Sequence, residues 1–187
     1  VPDHVVVCVD EAYIELVEKK FQPDTLKHVR DGKKVVVLRT FSKTYGLAGL
    51  RIGYAVAPAE CIALLGRVRQ PFNVNGMAQA AAMAALDDDE HVERTREMVK
   101  SGLLYFRETF EKMGLETVPA SANFMLVKVG NGRDVFNRMM KKGVIVRAMD
   151  VYGLSDHIRI SVGTEEENRK CIEALNAVIQ EKRVDGK

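Results

Sequence analysis

The sequence predicts an α/β chain, with a mostly parallel sheet and its helices followed by a compact α+β region. Three observations carry that prediction. Residues 5–9, and 34–38 after its opening Lys34, are continuous runs rich in valine, the pattern of strands buried on both faces of a parallel sheet. The stretch of about two dozen residues between them suits a crossover connection. Beyond residue 115, four short apolar stretches are interrupted by two helical patterns, which predicts a second, mixed unit.

In chain order, residues 13–21 and 24–30 read as the irregular or short helical parts of the crossover. Residues 53–57 read as a third strand, closed by Pro58. A helix is expected over 59–69, then a loop from Pro71 to Gly76, then a small-residue helix over 77–86. Asp87-Asp88-Asp89-Glu90 resembles a metal cluster at first sight. Acids at a helix start, however, cap its free amides and favour its dipole, and capping is the preferred reading. That helix should run to about residue 113 and stop at Gly114. Strands follow at 116–119, 123–129, 144–147 and 157–162, with helices at 133–142 and 165–182. The expected division is 1–88 and 89–187.

Composition narrows the class. A chain of 187 residues with 47% hydrophobic and 29% charged residues can bury a core in one or two domains. A net charge of +2 argues for neither nucleic acid nor a membrane surface as partner. No stretch approaches the roughly twenty apolar residues of a membrane-spanning helix. Cys8, Cys61 and Cys171 are scattered and form no Cys-x-x-Cys pair, and His4, His28, His91 and His157 are equally dispersed. The expectation is reduced thiols in a cytoplasmic protein, with no metal.

The chemistry concentrates near the first two strands. Lys43 leaves an apolar strand into a hydroxyl- and glycine-rich loop that closes on Arg51. A lysine amine forms a Schiff base with a carbonyl and can afterwards carry a proton, which makes Lys43 the candidate nucleophile. A pyridinium ring draws off carbanion charge only while protonated, and Asp10, just past the first strand, is the carboxylate to pair with it. A phosphate monoester needs convergent donors and a fixed cation, which Thr40, Ser42 and Arg51 would provide. Taken alone, Lys43 reads as a solvated charge. Asp10-Glu11-Ala12 equally resembles the magnesium-binding strand end of a P-loop ATPase, but that class needs a Gly-x-x-x-x-Gly-Lys-Ser/Thr loop, which is absent from these 187 residues.

Six segments together resemble the histidinol-phosphate aminotransferases, from end to end of the chain. They are Asp10-Glu11-Ala12-Tyr13, the loop from Thr40 through Lys43 to Tyr54, Gln70-Pro71-Phe72-Asn73-Val74-Asn75, Ser121-Ala122-Asn123-Phe124, Gly143-Val144-Ile145-Val146-Arg147 and Ile158-Arg159-Ile160-Ser161-Val162-Gly163-Thr164. The resemblance implies a fold-type I transferase using pyridoxal phosphate. Lys43 would hold the cofactor covalently, Asp10 would meet its ring nitrogen, and Tyr13 its phenolic oxygen. Thr40, Ser42 and Arg51 would hold its phosphate. Arg159 would bind the acidic end of the substrate, with Arg147 as a second substrate contact. The implied substrates are a phosphorylated amine and glutamate or 2-oxoglutarate, and the implied state is a homodimer.

Phosphothreonine decarboxylase and aromatic aminotransferases share much of this pattern, and an ATPase remnant or a non-catalytic domain is the reading from a different class. The same resemblance implies that an earlier half, with a phosphate-cupping loop and a ring-stacking aromatic, is missing. The expectation is therefore a C-terminal half comprising part of the large cofactor domain and the whole small domain. By itself it should bind cofactor weakly and not transaminate.

Overall fold

The computed structural model describes residues 1–2 and 4–185. The chain divides into two compact units, Val1–Thr95 and Arg96–Lys187.

The first unit holds a three-stranded sheet in the order β1 (Val7–Asp10), β2 (Val35–Thr40), β3 (Gly53–Val56). β1 and β2 are parallel, with Val7 opposite Val35 and Asp10 opposite Leu38. Between them run two short 3-10 turns and α1 (Thr25–Arg30), the crossover that a parallel pair demands. Asp24 caps α1 by accepting the amide of Lys27 at 3.0 Å. β3 returns antiparallel to β2, because the loop joining them turns back without crossing the sheet.

The strand expected at 5–9 begins at Val7. It is also not buried on both faces: Cys8 and Asp10 are exposed, and only in β2 are three consecutive valines, Val35 to Val37, buried. An apolar run shows that a strand can be covered on both faces; whether it is covered depends on what packs there.

α2 (Ala59–Val68) and α3 (Gly76–Leu86) follow, α3 capped by Asn75 accepting the amide of Ala78 at 2.8 Å. Asn75 is thus a capping residue. The long helix α4 (Asp89–Lys112) begins in the first unit and continues into the second. Asp88 accepts the amide of His91 at 2.9 Å, the capping role expected of the acidic run. The helix ends before Gly114, which takes φ +71°.

The second unit is a four-stranded sheet in the order β4 (Thr117–Val118), β5 (Phe124–Lys128), β7 (His157–Ser161), β6 (Arg147–Ala148). α5 (Gly132–Lys141) and α6 (Glu165–Asp185) complete it. Its core includes Phe106, Phe110, Met139, Ile158, Ile160 and Leu175.

The strand expected at 144–147 is only Arg147–Ala148. The reason lies in how α5 stops: the amides of Gly143 and Val144 bond back to Met140 and Met139 at 3.0 and 3.1 Å, so those donors close the helix end.

β7 is held at both ends by glycines. A Cβ on Gly132 would run into the carbonyl of His157, the first residue of β7, and a Cβ on Gly102 into the side chain of Val162, just past its last.

Candidate active site

Parallel pairing brings the ends of β1 and β2 to one edge, and the amide of Glu11 extends the ladder by bonding to the Leu38 carbonyl at 2.9 Å. Ligand groups gather at such strand ends in open α/β sheets. Asp10 is exposed there, and its Oδ1 accepts the amide of Ala12 at 3.0 Å, which fixes one carboxylate oxygen.

At the end of β2 the chain enters the lysine loop. Phe41 is buried and packs its ring at 5.1 Å from Tyr45 and 5.7 Å from Tyr54. The amide of Leu47 donates to the Phe41 carbonyl at 2.9 Å, and that of Gly46 to Lys43 at 3.0 Å. Gly46 takes φ +70°, a conformation that suits glycine. The loop is therefore anchored from below, with Lys43 exposed at its rim. Its Nζ lies 5.4 Å from the centroid of the Tyr13 ring, a cation–π approach across the two strand ends.

Thr40 Oγ1 accepts the amide of Ser42 at 3.1 Å. Arg51 takes φ +55° and spends one donor on the Ala48 carbonyl at 2.8 Å. Asp10, Tyr13, Thr40, Ser42, Lys43 and Arg51 thus all belong to the first unit, on the strand ends and the loop beyond.

Arg147 and Arg159 belong to the second unit and are register partners across β6 and β7. Directly opposed residues share a sheet face, so the two guanidinium groups project from the same side. Arg147 donates to the Tyr152 hydroxyl at 2.9 Å. Arg159 lies 4.7 Å from the centroid of Phe124, its diagonal neighbour on that face, and its buried Nε has no hydrogen-bond partner among the described residues. Both line a cavity of about 720 Å³ with Ile145, Ser161, Lys170 and Glu167. The Glu167 carboxylate accepts the Thr164 amide and hydroxyl, bonds that hold its pKa below the ordinary value. Among the described residues neither arginine is paired with a carboxylate. The charged groups that line the cavity, Arg147, Arg159, Lys170 and Glu167, leave it net positive.

Two features escaped the sequence reading. Glu11 is buried and accepts Arg39 Nε at 2.9 Å, with the Thr25 hydroxyl on its other oxygen. Its signal was present: strand alternation sends Glu11 to the face opposite Asp10, and an arginine in an apolar strand needs a partner. The second is His91, whose Nε2 meets the Thr44 carbonyl at 3.1 Å. No local pattern announces that contact.

The family model for aminotransferase class I and II matches residues 2–175. The chain belongs to that family. Aminotransferases of this family depend on pyridoxal phosphate. The chain is 55% identical over 179 residues to a histidinol-phosphate aminotransferase of Akkermansia muciniphila, covering 96% of this chain and 49% of that protein. It is 48% identical over 182 residues to the enzyme of the same name from Symbiobacterium thermophilum, covering 97% and 50%. The histidinol-phosphate aminotransferase structure from Sinorhizobium meliloti, in complex with pyridoxal-5'-phosphate, matches with a TM-score of 0.89 and 29% identity, over 97% of this chain and 50% of that one.

This aminotransferase chain thus spans about half the length of the curated relatives it matches. Among the described residues no helix is long and apolar enough to cross a membrane.

Proposed function

We propose that the enzyme containing this chain transfers an amino group between histidinol phosphate and 2-oxoglutarate with the help of pyridoxal phosphate, and that it works as a cytoplasmic homodimer. The observation that carries the reading is the Lys43 amine held over the Tyr13 ring beside the strand end that bears Asp10. The donor set fits the cofactor in kind: an amine for its carbonyl, a carboxylate for its ring nitrogen, a phenol for its phenolic oxygen, and Thr40, Ser42 and Arg51 for its phosphate. Relatives named as histidinol-phosphate aminotransferases at 48 to 55% identity support the substrate.

Bound pyridoxal phosphate supplies a carbonyl that links to amines and a ring that takes up the electron pair left at the substrate carbon. Lys43 would hold the cofactor through its neutral amine and would carry the proton to and from the substrate Cα. Asp10 would keep a proton on the ring nitrogen by charge-assisted hydrogen bonding. Tyr13, whose ring lies under the Lys43 amine, would donate to the phenolic oxygen. Arg159 offers a planar fork to the carboxylate of glutamate or the phosphate of histidinol phosphate, and Arg147 beside it adds a second cation for the dianion.

Borohydride reduction of the full-length enzyme with cofactor, followed by peptide mapping, tests the reading together with an amine-transfer assay on histidinol phosphate. The expected result is an adduct on Lys43 and turnover with 2-oxoglutarate. An adduct on another lysine, or release of carbon dioxide from phosphothreonine without amine transfer, overturns it.

A further inference from the structure

His91 lies outside every motif that carried the functional reading, yet it touches the lysine loop. Its Nε2 is 3.1 Å from the carbonyl oxygen of Thr44, the residue after Lys43. A carbonyl oxygen only accepts, so the imidazole carries its proton on Nε2. The same ring covers Gly46: a Cβ built there would stand 3.8 Å from His91 Nε2 and 4.0 Å from its Cε1. The imidazole therefore bonds the loop at Thr44 and stands over the side of Gly46 where a side chain would begin.

The bonded carbonyl belongs to the middle peptide of the turn that Gly46 closes onto Lys43. This peptide is the one that turns over between the two common turn forms, whose dihedrals on either side of it differ by roughly 150° or more. Tyr45 keeps a negative φ, since among the described residues only Arg51 and Phe72 are positive without being glycine, so the turn is in the form that presents this carbonyl to His91. Thr44 is 2% exposed and its hydroxyl has no partner among the described residues, so that side chain adds packing but no hydrogen bond to hold the turn. The backbone from which the His91 ring projects is itself fixed, because its amide is held by the capping carboxylate of Asp88 at 2.9 Å. A capped helix start thus grips the peptide next to the reactive amine.

We propose that His91 is a positioning residue: its Nε2–H pins the Thr44 carbonyl and so fixes the backbone from which Lys43 reaches the cofactor and the substrate Cα. The proposal rests on Lys43 being the cofactor lysine. Displacement of a reacting group by about 1 Å can cost on the order of a hundredfold in rate, which sets the scale of the effect.

The test uses the full-length enzyme with His91→Phe, which keeps a ring over Gly46 but has no donor, and His91→Gln, whose amide nitrogen can replace Nε2. Amide hydrogen exchange at Gly46 and Leu47 is followed in cofactor-free protein, with the amides of β5 and β7 as an internal control of folding, and kcat and KM are measured on the loaded enzyme. For His91→Phe the expectation is faster exchange confined to the loop and a kcat lower by about tenfold to a hundredfold with KM changed far less. His91→Gln should recover most of both. Unchanged loop exchange in His91→Phe, or equal losses in both variants, overturns the proposal and leaves His91 a packing residue. Failure of the underlying reading looks different, because Lys43→Ala would then retain turnover whatever His91 does.

Discussion

Replacing Glu11 with glutamine changes one atom at the centre of the first unit. The carboxylate side chain is 3% exposed and meets Arg39 Nε and Nη2, each at 2.9 Å. Removing one partner of a buried pair costs about 3–5 kcal/mol, because the remaining charge stays buried without compensation. Here the Arg39 side chain is 24% exposed, so water recovers part of that loss. Glutamine also keeps one oxygen to accept from Arg39 or Thr25. Both corrections bring the expected loss to about 2–3 kcal/mol. For a chain of 187 residues, at about 2–4 °C per kcal/mol, the melting temperature falls by about 4–12 °C. Urea denaturation followed by circular dichroism should show a lower midpoint with an unchanged slope. A loss under about 0.5 kcal/mol would place the pair with ordinary surface salt bridges and refute the reasoning. The double replacement Glu11→Leu with Arg39→Met should cost less than the two single changes added together, since an apolar pair leaves no orphaned charge.

Three further outcomes are expected. Asp10→Asn in the full-length enzyme should fold normally but lose more than tenfold in kcat, because tenfold corresponds to only ~1.4 kcal/mol, too little for a charge-assisted bond to the ring nitrogen; steady-state kinetics with circular dichroism as the folding control decides it. Arg159→Lys should weaken both substrates by about 1–3 kcal/mol through loss of the planar fork, while Arg147→Ala should impair histidinol phosphate more than glutamate; kcat/KM for each half-reaction is the measurement, and equal small losses would place both arginines outside the substrate site. Burial pushes the Cys171 thiol up to about 11, so it should resist a thiol reagent in the folded chain at neutral and mildly alkaline pH and react on unfolding, whereas exposed Cys8 reacts at once; time-resolved mass spectrometry separates the two.

The legible parts of the fold were those decided locally. The valine run of β2, the acidic cap of α4 and the glycine stop at Gly114 depend on residues within a few positions of each other, and they lie where expected. The strand at 144–147 was misjudged because its apolar residues suit a strand while the amides of Gly143 and Val144, just before it and at its start, are taken by the end of α5. The same divide runs through the candidate site. Asp10 and Lys43 follow strands, so the rule for parallel sheet ends locates them. The partners Glu11–Arg39 and His91–Thr44 are 28 and 47 residues apart, and their meeting depends on tertiary packing that no single-sequence periodicity encodes.

The two glycines that grip β7 give the cavity an unusual genetic signature. Any side chain at Gly132 displaces the backbone where β7 starts, and any at Gly102 displaces Val162 just beyond where it ends. Arg159 stands midway between them and inherits its place from both. In a saturation library selected for growth, Gly102 and Gly132 should therefore tolerate substitution as poorly as Arg159 itself. Neither contributes an atom to binding, so a map of intolerant positions would mark as functional two places whose whole contribution is to leave room.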